Sequence, residues 1–393
     1  MSRRIQRDAI VVGGGVVGAA CALALADAGL QVALVEAGTP ARWSRDQPDL
    51  RVFAFAPDNA ELLNSLGVWQ DILAARAQPY RDMRVWDAAG GGELHFDANV
   101  LARRELGWIV EHDLLADRLA AAARRAGVEY FQPATVNGLE QRDDGVRLTL
   151  EGGETLDARI AIAADGANST LRSLAGIQAP THDYAQRGVV AYVETALPHQ
   201  LTAYQRFLPG GPLAFLPVDA DRRSSIVWSL ADEEAERILG LDDAAFAVEL
   251  TNAFGAQLGH VIPVSRRAAF ALRRQLAETQ VEGRVLVLGD AAHVVHPLAG
   301  QGVNLGLRDV AALRDTVREA QKLGRDFDAP HRLRRWARAR RSDNVMSTLA
   351  FETINRVYSN DALIPTMLRG HALRAAHVLT PLRNALWRHA AGT

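Results

Sequence analysis

With one cysteine in 393 residues, the chain has no possible intrachain disulfide, and Cys21, set among alanines, reads as a small apolar residue. No run of about 20 uncharged apolar residues occurs, so no spanning helix is expected. Charge of one sign is missing as well. Its 44 Lys and Arg face 46 Asp and Glu, a net charge of −2, which gives no electrostatic footprint for nucleic acid. His293 and His296 lie three apart, but no cysteine or acidic cluster completes a tetrahedral set, so no metal is expected. Repeats and low-complexity segments are absent too. Ser2-Arg3-Arg4 before a largely apolar stretch imitates an export signal, but Gly13-Gly14-Gly15 would break its helix. What remains is an ordinary composition, 48% hydrophobic and 23% charged, long enough for two packed domains and expected in the cytoplasm.

Glycine, by contrast, forms two motif-like clusters far apart in the chain. Ala9-Ile10-Val11-Val12 is an apolar run suited to a buried parallel strand. Gly13, Gly15 and Gly18 follow with G-x-G-x-x-G spacing: one for the turn, one for backbone approach to a pyrophosphate, one for helix packing. A helix over 19–28 ends at Gly29, and a strand over 31–35 delivers Glu36, an acid placed to accept from ribose hydroxyls.

The second glycine-rich segment follows the buried run Val285-Leu286-Val287-Leu288. There Gly289 and Asp290 precede His296, Pro297, Gly300, Gln301, Gly302 and Asn304, which open a helix over 303–318. The positive end of that helix dipole favours an electron-rich ring edge that becomes anionic on reduction. Asp290 is suited to bonding a polyol chain, and Pro297 to holding the loop against a flat ring. Two such loops at opposite ends of one chain imply a long two-ended cofactor, as a flavin dinucleotide is. Between them, a strand ending in Asp165-Gly166 passes through Asn168 and Ser169 into a short helix; an acid there lies where α/β sheets bind ligands, although Asp-Gly also makes ordinary turns.

The rest is punctuation and periodicity. Asp58 reads as the N-cap of a helix ending at Gly67, and another helix spans 113–125. Residues 83–96 alternate around Gly90-Gly91-Gly92 as a hairpin, and short β-like runs near 189–193, 203–207, 214–218 and 225–230 suit an antiparallel sheet. The expected architecture is α/β. A Rossmann-like cofactor domain (1–75, 100–178, 281–330) is interrupted by a mixed or antiparallel β-sheet substrate domain (76–99, 179–280). A C-terminal helical segment (331–393) follows. That last segment is basic and amphipathic, which fits a membrane surface, a partner or a solvated face.

Taken in order, the Gly13–Gly18 fingerprint, Asp165-Gly166, Gly289-Asp290 and the string from His296 to Asp309 resemble the flavin-dependent hydroxylases of ubiquinone biosynthesis, of the para-hydroxybenzoate hydroxylase fold. Leu66-Gly67-Val68-Trp69, Met83–Asp87 and Gly107–Glu111 agree, and the similarity covers nearly the whole chain. The resemblance implies FAD, with Gly13, Gly15 and Gly18 at the pyrophosphate and Glu36 at the adenosine ribose. Gly289 and Asp290 would serve the ribityl–pyrophosphate region; Pro297, Gly300, Gln301, Gly302 and Asn304 would surround the isoalloxazine, with Arg51 near the flavin. Asp165 and Gly166 would serve both FAD and the NAD(P)H donor. It implies O2 activation as a flavin C4a-hydroperoxide and oxygen transfer to a polyprenylated phenol. No general base is assigned; His296, Pro297 and Gln301 are the flavin-loop candidates. Related enzymes work in lipid-linked assemblies, so other biosynthetic proteins and peripheral membrane contact are expected partners. Two departures stand out: His112-Asp113 replaces the usual Asn-Arg, and the residues after Arg51 differ from the usual Ala-Leu-Ser. A prenyl-lipid reductase on the same fold, or a non-catalytic flavoprotein scaffold, are the alternatives. A halogenase is disfavoured, since Trp-x-Trp-x-Ile-Pro is absent.

Overall fold

The computed structural model describes residues 7–88, 92–295 and 301–343. Its first layer is a parallel sheet in which Thr155–Ala163 lies between Val285–Val287 and Arg7–Val12, followed by Val32–Val35 and Glu129–Phe131. These strands are buried on both faces, which is why they read as continuous apolar runs rather than alternating ones. Helices Val16–Asp27, His112–Arg125 and Gln301–Lys322 cover one face. An antiparallel pair, Val136–Gln141 and Val146–Leu150, continues from Thr155–Ala163 and helps close the other. The switch point of this sheet puts the glycine turn after Val12 and the turn after Ala163 side by side, with Ala164 N donating to Val12 O at 2.8 Å.

The second layer is a nine-stranded, largely antiparallel sheet. Its centre is Thr181–Thr195, Arg223–Ala231, Gly211–Pro217 and Thr202–Leu208, and the last of these pairs in parallel with Asp82–Asp87. Helices Asp232–Gly240 and Asp243–Phe254 seal its outer face around Phe215, Phe246 and Phe254. Its inner face turns toward the cofactor layer. A third sheet of three strands, Val52–Phe55, Gly107–Glu111 and Ala77–Tyr80, bridges the two. So the fold is α/β with a mixed β-sheet insertion, as the glycine and strand patterns implied. Two segments cross the expected boundaries: Ala77–Tyr80 pairs in the bridging sheet, while His293–Val294 joins the edge of the large one. Asp58 is also not an N-cap. Pro57 occupies the first turn of Pro57–Ser65 behind Ala56, and Asp58 instead meets Arg308 Nε at 2.6 Å. Among the described residues no helix is long and apolar enough to cross a membrane.

The turn that feeds Thr202–Leu208 holds Gln200 and Leu201 at positive φ, 51° and 57°. His199, only 2% exposed, pins it. Leu201 N–H can only donate, so Nδ1 accepts it at 3.1 Å and Nε2–H donates to Ala220 O at 2.9 Å; the ring is neutral. Burial pushes the His199 pKa below its ordinary value, against its backbone hydrogen bonds. Unfolded histidine binds a proton near about pH 6.5, so the native state loses stability as pH falls through that value toward the folded pKa. Wild-type protein should therefore melt at a lower temperature near about pH 5.5 than near about pH 7.5. The pH-dependent drop should shrink in His199→Gln, whose amide reproduces both bonds. Equal drops in both proteins would remove His199 as a source of acid lability.

Candidate active site and cofactor cleft

Between the layers lies a cavity of about 710 Å³. Gly13, Gly15, Glu36, Arg51, Asp165, Gly166, Asp290 and Gly302 all border it at the cofactor-layer end. At the other end its walls are side chains of the bridging and large sheets, among them Tyr80, Met83, Val190, Ala214, Leu216 and Val227.

The glycines divide by task. A Cβ on Gly15 would meet no atom within 4 Å, since that side faces the cavity. A Cβ on Gly18 would lie 1.9 Å from Gly13 O, and one on Gly13 2.3 Å from Ala164 O, so these two exist for close backbone approach. Helix Val16–Asp27 starts at Gly15 with no side-chain cap and no acid in its first turn, leaving its positive end open to an anion. Glu36 lines the same end, its carboxylate held by Gly14 N and, at 2.6 Å, by Gly38 N. Such a cleft, glycine-floored with a helix dipole and an acid at the next strand end, fits a dinucleotide.

Asp165 borders the cavity but is also a cap. Its carboxylate takes Ser169 Oγ, Thr170 N at 2.8 Å and Leu171 N at 3.2 Å, fixing the start of helix Thr170–Leu174. Ser169 is the N-cap, accepting from Arg172 N at 2.9 Å, and Asn168 meets Arg273 Nη2 at 3.4 Å. Asp290 is open to the cavity yet hemmed in by protein atoms. Desolvation raises its pKa, opposed by His293, His112, Arg51 and Arg273. Arg51 Nη2 is 3.0 Å from His112 Nδ1, which also lies 2.9 Å from Asp113 Oδ1. So His112, where the related pattern has asparagine, belongs to the cavity wall beside Arg51.

Asn304 does not line the cavity. Its side chain is fully buried, accepting from Ala56 N at 3.0 Å and Asn59 Nδ2 at 3.0 Å and donating to Ala54 O at 2.8 Å. It clamps helix Gln301–Lys322 to strand Val52–Phe55, because an asparagine this deep must spend both ends of its amide. Gly289, at φ 59°, packs against Val17 rather than the cavity. Gln301 begins its helix, and His296, Pro297 and Gly300 lie outside the described residues.

His293 belongs to a buried ion network. His293 Nε2 meets Asp309 Oδ2 at 2.6 Å, and Arg340 Nε meets Asp309 Oδ1 at 2.8 Å. Gly289 N also donates to Asp309, at 3.2 Å. Burial alone would raise the Asp309 pKa, but the contacts with His293 and Arg340 outweigh it and hold the carboxyl below the usual range. Arg340 is therefore not part of a solvated basic face, and Arg332 and Trp336 are buried with it. The later part of the basic segment, 344–393, is outside the described residues. Sequence reading missed the sheet-face residues Gln205, Ser229, Phe270 and Arg273, all in the cavity wall. Their signal is strand alternation, which marks two faces without saying which one meets a cavity.

A family model described as an FAD binding domain matches residues 6–322. The chain is 37% identical to a ubiquinone hydroxylase, UbiL, of Rhodospirillum rubrum, over 98% of this chain and 90% of that one. It is 35% identical to the 3-demethoxyubiquinol 3-hydroxylase of Escherichia coli, over 97% of each. In three dimensions it resembles p-nitrophenol 4-monooxygenase of Pseudomonas putida, with a TM-score of 0.78 at 21% identity over 98% of both chains; that likeness concerns the fold.

Proposed function

The chain belongs to the family of FAD-dependent ubiquinone-biosynthesis hydroxylases, and on that premise we propose that it inserts one oxygen atom of O2 into the ring of a polyprenylated phenol, with NAD(P)H as reductant. The balance is phenol plus O2, NAD(P)H and a proton, giving the ring-hydroxylated product, water and NAD(P)⁺. One observation carries this reading: a single cavity joins the glycine-floored dinucleotide end to a largely apolar sheet face. Bound FAD supplies the hydride acceptance and the activation of O2.

The chain's residues supply the rest. Gly15 and the helix behind it receive the pyrophosphate, and Glu36 accepts from the ribose. Asp290 stands for the ribityl–pyrophosphate region, with Arg51 and Arg273 as counter-charges. Val190, Ala214, Leu216 and Val227 give the ring and prenyl chain an apolar wall and keep water away from the reacting carbon. His296, Pro297, Gly300, Gln301 and Gly302 complete the isoalloxazine end in this proposal, and Asp165-Gly166 the side reached by the nicotinamide donor. Peripheral contact with the membrane that dissolves such a substrate, and with other proteins of the pathway, belongs to the same proposal and falls to the basic segment without its buried Arg332 and Arg340.

The FAD-loaded protein should convert a prenylated phenol under ¹⁸O2 and NAD(P)H to a product carrying one heavy oxygen. Turnover without label would favour a reductase or dehydrogenase. Bound FAD without substrate turnover would favour the scaffold reading.

A further inference from the structure

Strand Val52–Phe55 begins beside the start of helix His112–Arg125, and hydrogen bonds from three backbone N–H groups fix that junction. Arg51 N donates to Asp49 Oδ1 at 3.0 Å, Asp113 N to Asp49 Oδ2 at 3.3 Å, and His112 N to Arg51 O at 2.9 Å. Asp49 is held in turn through its own N–H, which donates to the buried Glu111 at 3.0 Å. The backbone of Arg51, His112 and Asp113 is therefore set, and what remains free is how their side chains pair.

That pairing is overcommitted at one atom. His112 Nδ1 lies 3.0 Å from Arg51 Nη2, 2.9 Å from Asp113 Oδ1 and 3.7 Å from Asp49 Oδ2. A guanidinium only donates and a carboxylate only accepts, so one nitrogen serves one of them at a time. With Nδ1 bare, the ring accepts from Arg51. With a proton on each ring nitrogen it donates to Asp113, has Asp49 as a second counter-charge, and meets Arg51 as a like charge. Asp49, His112 and Asp113 bring ligand-type atoms within 4.8 Å of one another, but the Arg51 guanidinium already takes the place of a metal cation on Nδ1. The chemistry left to this cluster is the exchange of a proton.

Arg51 and His112 both border the cavity at its dinucleotide end, where Asp290 interacts electrostatically with each of them and with Arg273. We infer that His112 is a proton-linked positioning residue for Arg51. Neutral, it holds the guanidinium against the wall; on taking up one proton from solvent it releases that guanidinium to an anionic oxygen of the bound dinucleotide. FAD binding and proton uptake by His112 are then coupled, and each favours the other to the same degree. The asparagine of the related pattern takes up no proton, so the coupling belongs to this chain. This rests on the flavin reading above and goes beyond it.

The test dilutes FAD-loaded protein at about pH 8 and about pH 6, a span over which histidine side chains gain charge, and reads the fluorescence of released flavin. Wild-type protein should hold FAD about tenfold tighter at the lower pH, the worth of one charge-assisted hydrogen bond. His112→Asn and Arg51→Gln should each hold FAD equally at the two pH values. Asp113→Asn, which withdraws a carboxylate that favours the imidazolium, should need a lower pH for the same gain. A wild type without pH dependence overturns the inference. So does a gain that survives in His112→Asn, which places the proton elsewhere, on Asp290 first. A gain that survives in Arg51→Gln overturns it too, since His112 then acts by its own charge. Should His112→Asn fail to fold, Asp113→Asn decides, and an unmoved pH midpoint there overturns the inference. FAD held with no pH dependence leaves the hydroxylase reading standing and removes the role of His112. Protein that never retains FAD removes that reading and the inference together.

Discussion

Gly15→Val should give folded protein that purifies without FAD, whereas Gly18→Val should fail to give stable protein at all. The two glycines sit three residues apart in one motif, but their surroundings are opposite. At Gly15 the backbone has φ −67° and ψ −175°, an extended conformation that valine accepts readily. No atom of the protein lies within 4 Å of the position its Cβ would take. The isopropyl group would instead stand in the cleft, where a pyrophosphate must approach the bare backbone. Displacing it by the width of a side chain forfeits the N–H contacts and the helix dipole together. An affinity loss of at least about a hundredfold, roughly 2.7 kcal/mol, is expected. At Gly18 the added carbon meets Gly13 O at 1.9 Å and Ala164 Cβ at 3.2 Å, so helix and strand must separate. Overpacking of this kind costs about 1–3 kcal/mol even where neighbours can move, and here the neighbour is backbone. Flavin absorbance per chain and a melting curve with and without added FAD separate the cases. The wild type should gain melting temperature from FAD and Gly15→Val should not. A Gly15→Val protein that keeps one FAD per chain would remove the glycine turn from the cofactor site.

That contrast also marks how far the sequence was legible. The fingerprint, its strand and its helix are local: apolar run, glycine spacing and helix formers fall within 30 residues, and the structure has Arg7–Val12 and Val16–Asp27 there. The insertion strands were visible by alternation, and Thr202–Leu208 and Arg223–Ala231 extend the runs only by residues at their ends. What alternation could not give was direction. Gln205 looks like any outward polar residue until the register with Ala214, Val227 and Val190 turns its face inward. Asn304 failed for the converse reason. Its place near the flavin motif implied a cofactor contact, but helix geometry aims it at Ala54 and Ala56 instead. The basic run around Arg340 read as a solvated or membrane face because its carboxylate partner stands 31 residues away on another helix. A cation's burial follows from where its partner lies, and the run itself carries no sign of that.

Asp309→Ala is the substitution expected to cost most. Asp309 is fully buried between His293, also fully buried, and Arg340 at 5% exposure. Removing the carboxylate leaves both neighbours without it in a dry interior, and breaking such a pair costs about 3–5 kcal/mol. The loss should reach the cofactor end. Gly289 N is bonded to Asp309, and Asp290 follows directly, so the segment carrying Asp290 loses an anchor. The midpoint of urea unfolding should therefore fall steeply and FAD content should drop with it. Replacing His293, Asp309 and Arg340 together with leucine should recover much of the stability, because no buried charge is stranded. It should not recover FAD retention to the same degree, since Gly289 N stays unanchored. The acid limb offers an independent check. With the folded pKa of Asp309 depressed, its contribution is present above the unfolded value, about 3.9, and is lost as pH falls below that toward the folded pKa. Wild-type stability should fall across that window, and the leucine triple variant should fall less. A triple variant no more stable than Asp309→Ala would mean that the carboxylate's worth lies in its bond to Gly289 rather than in balancing His293 and Arg340.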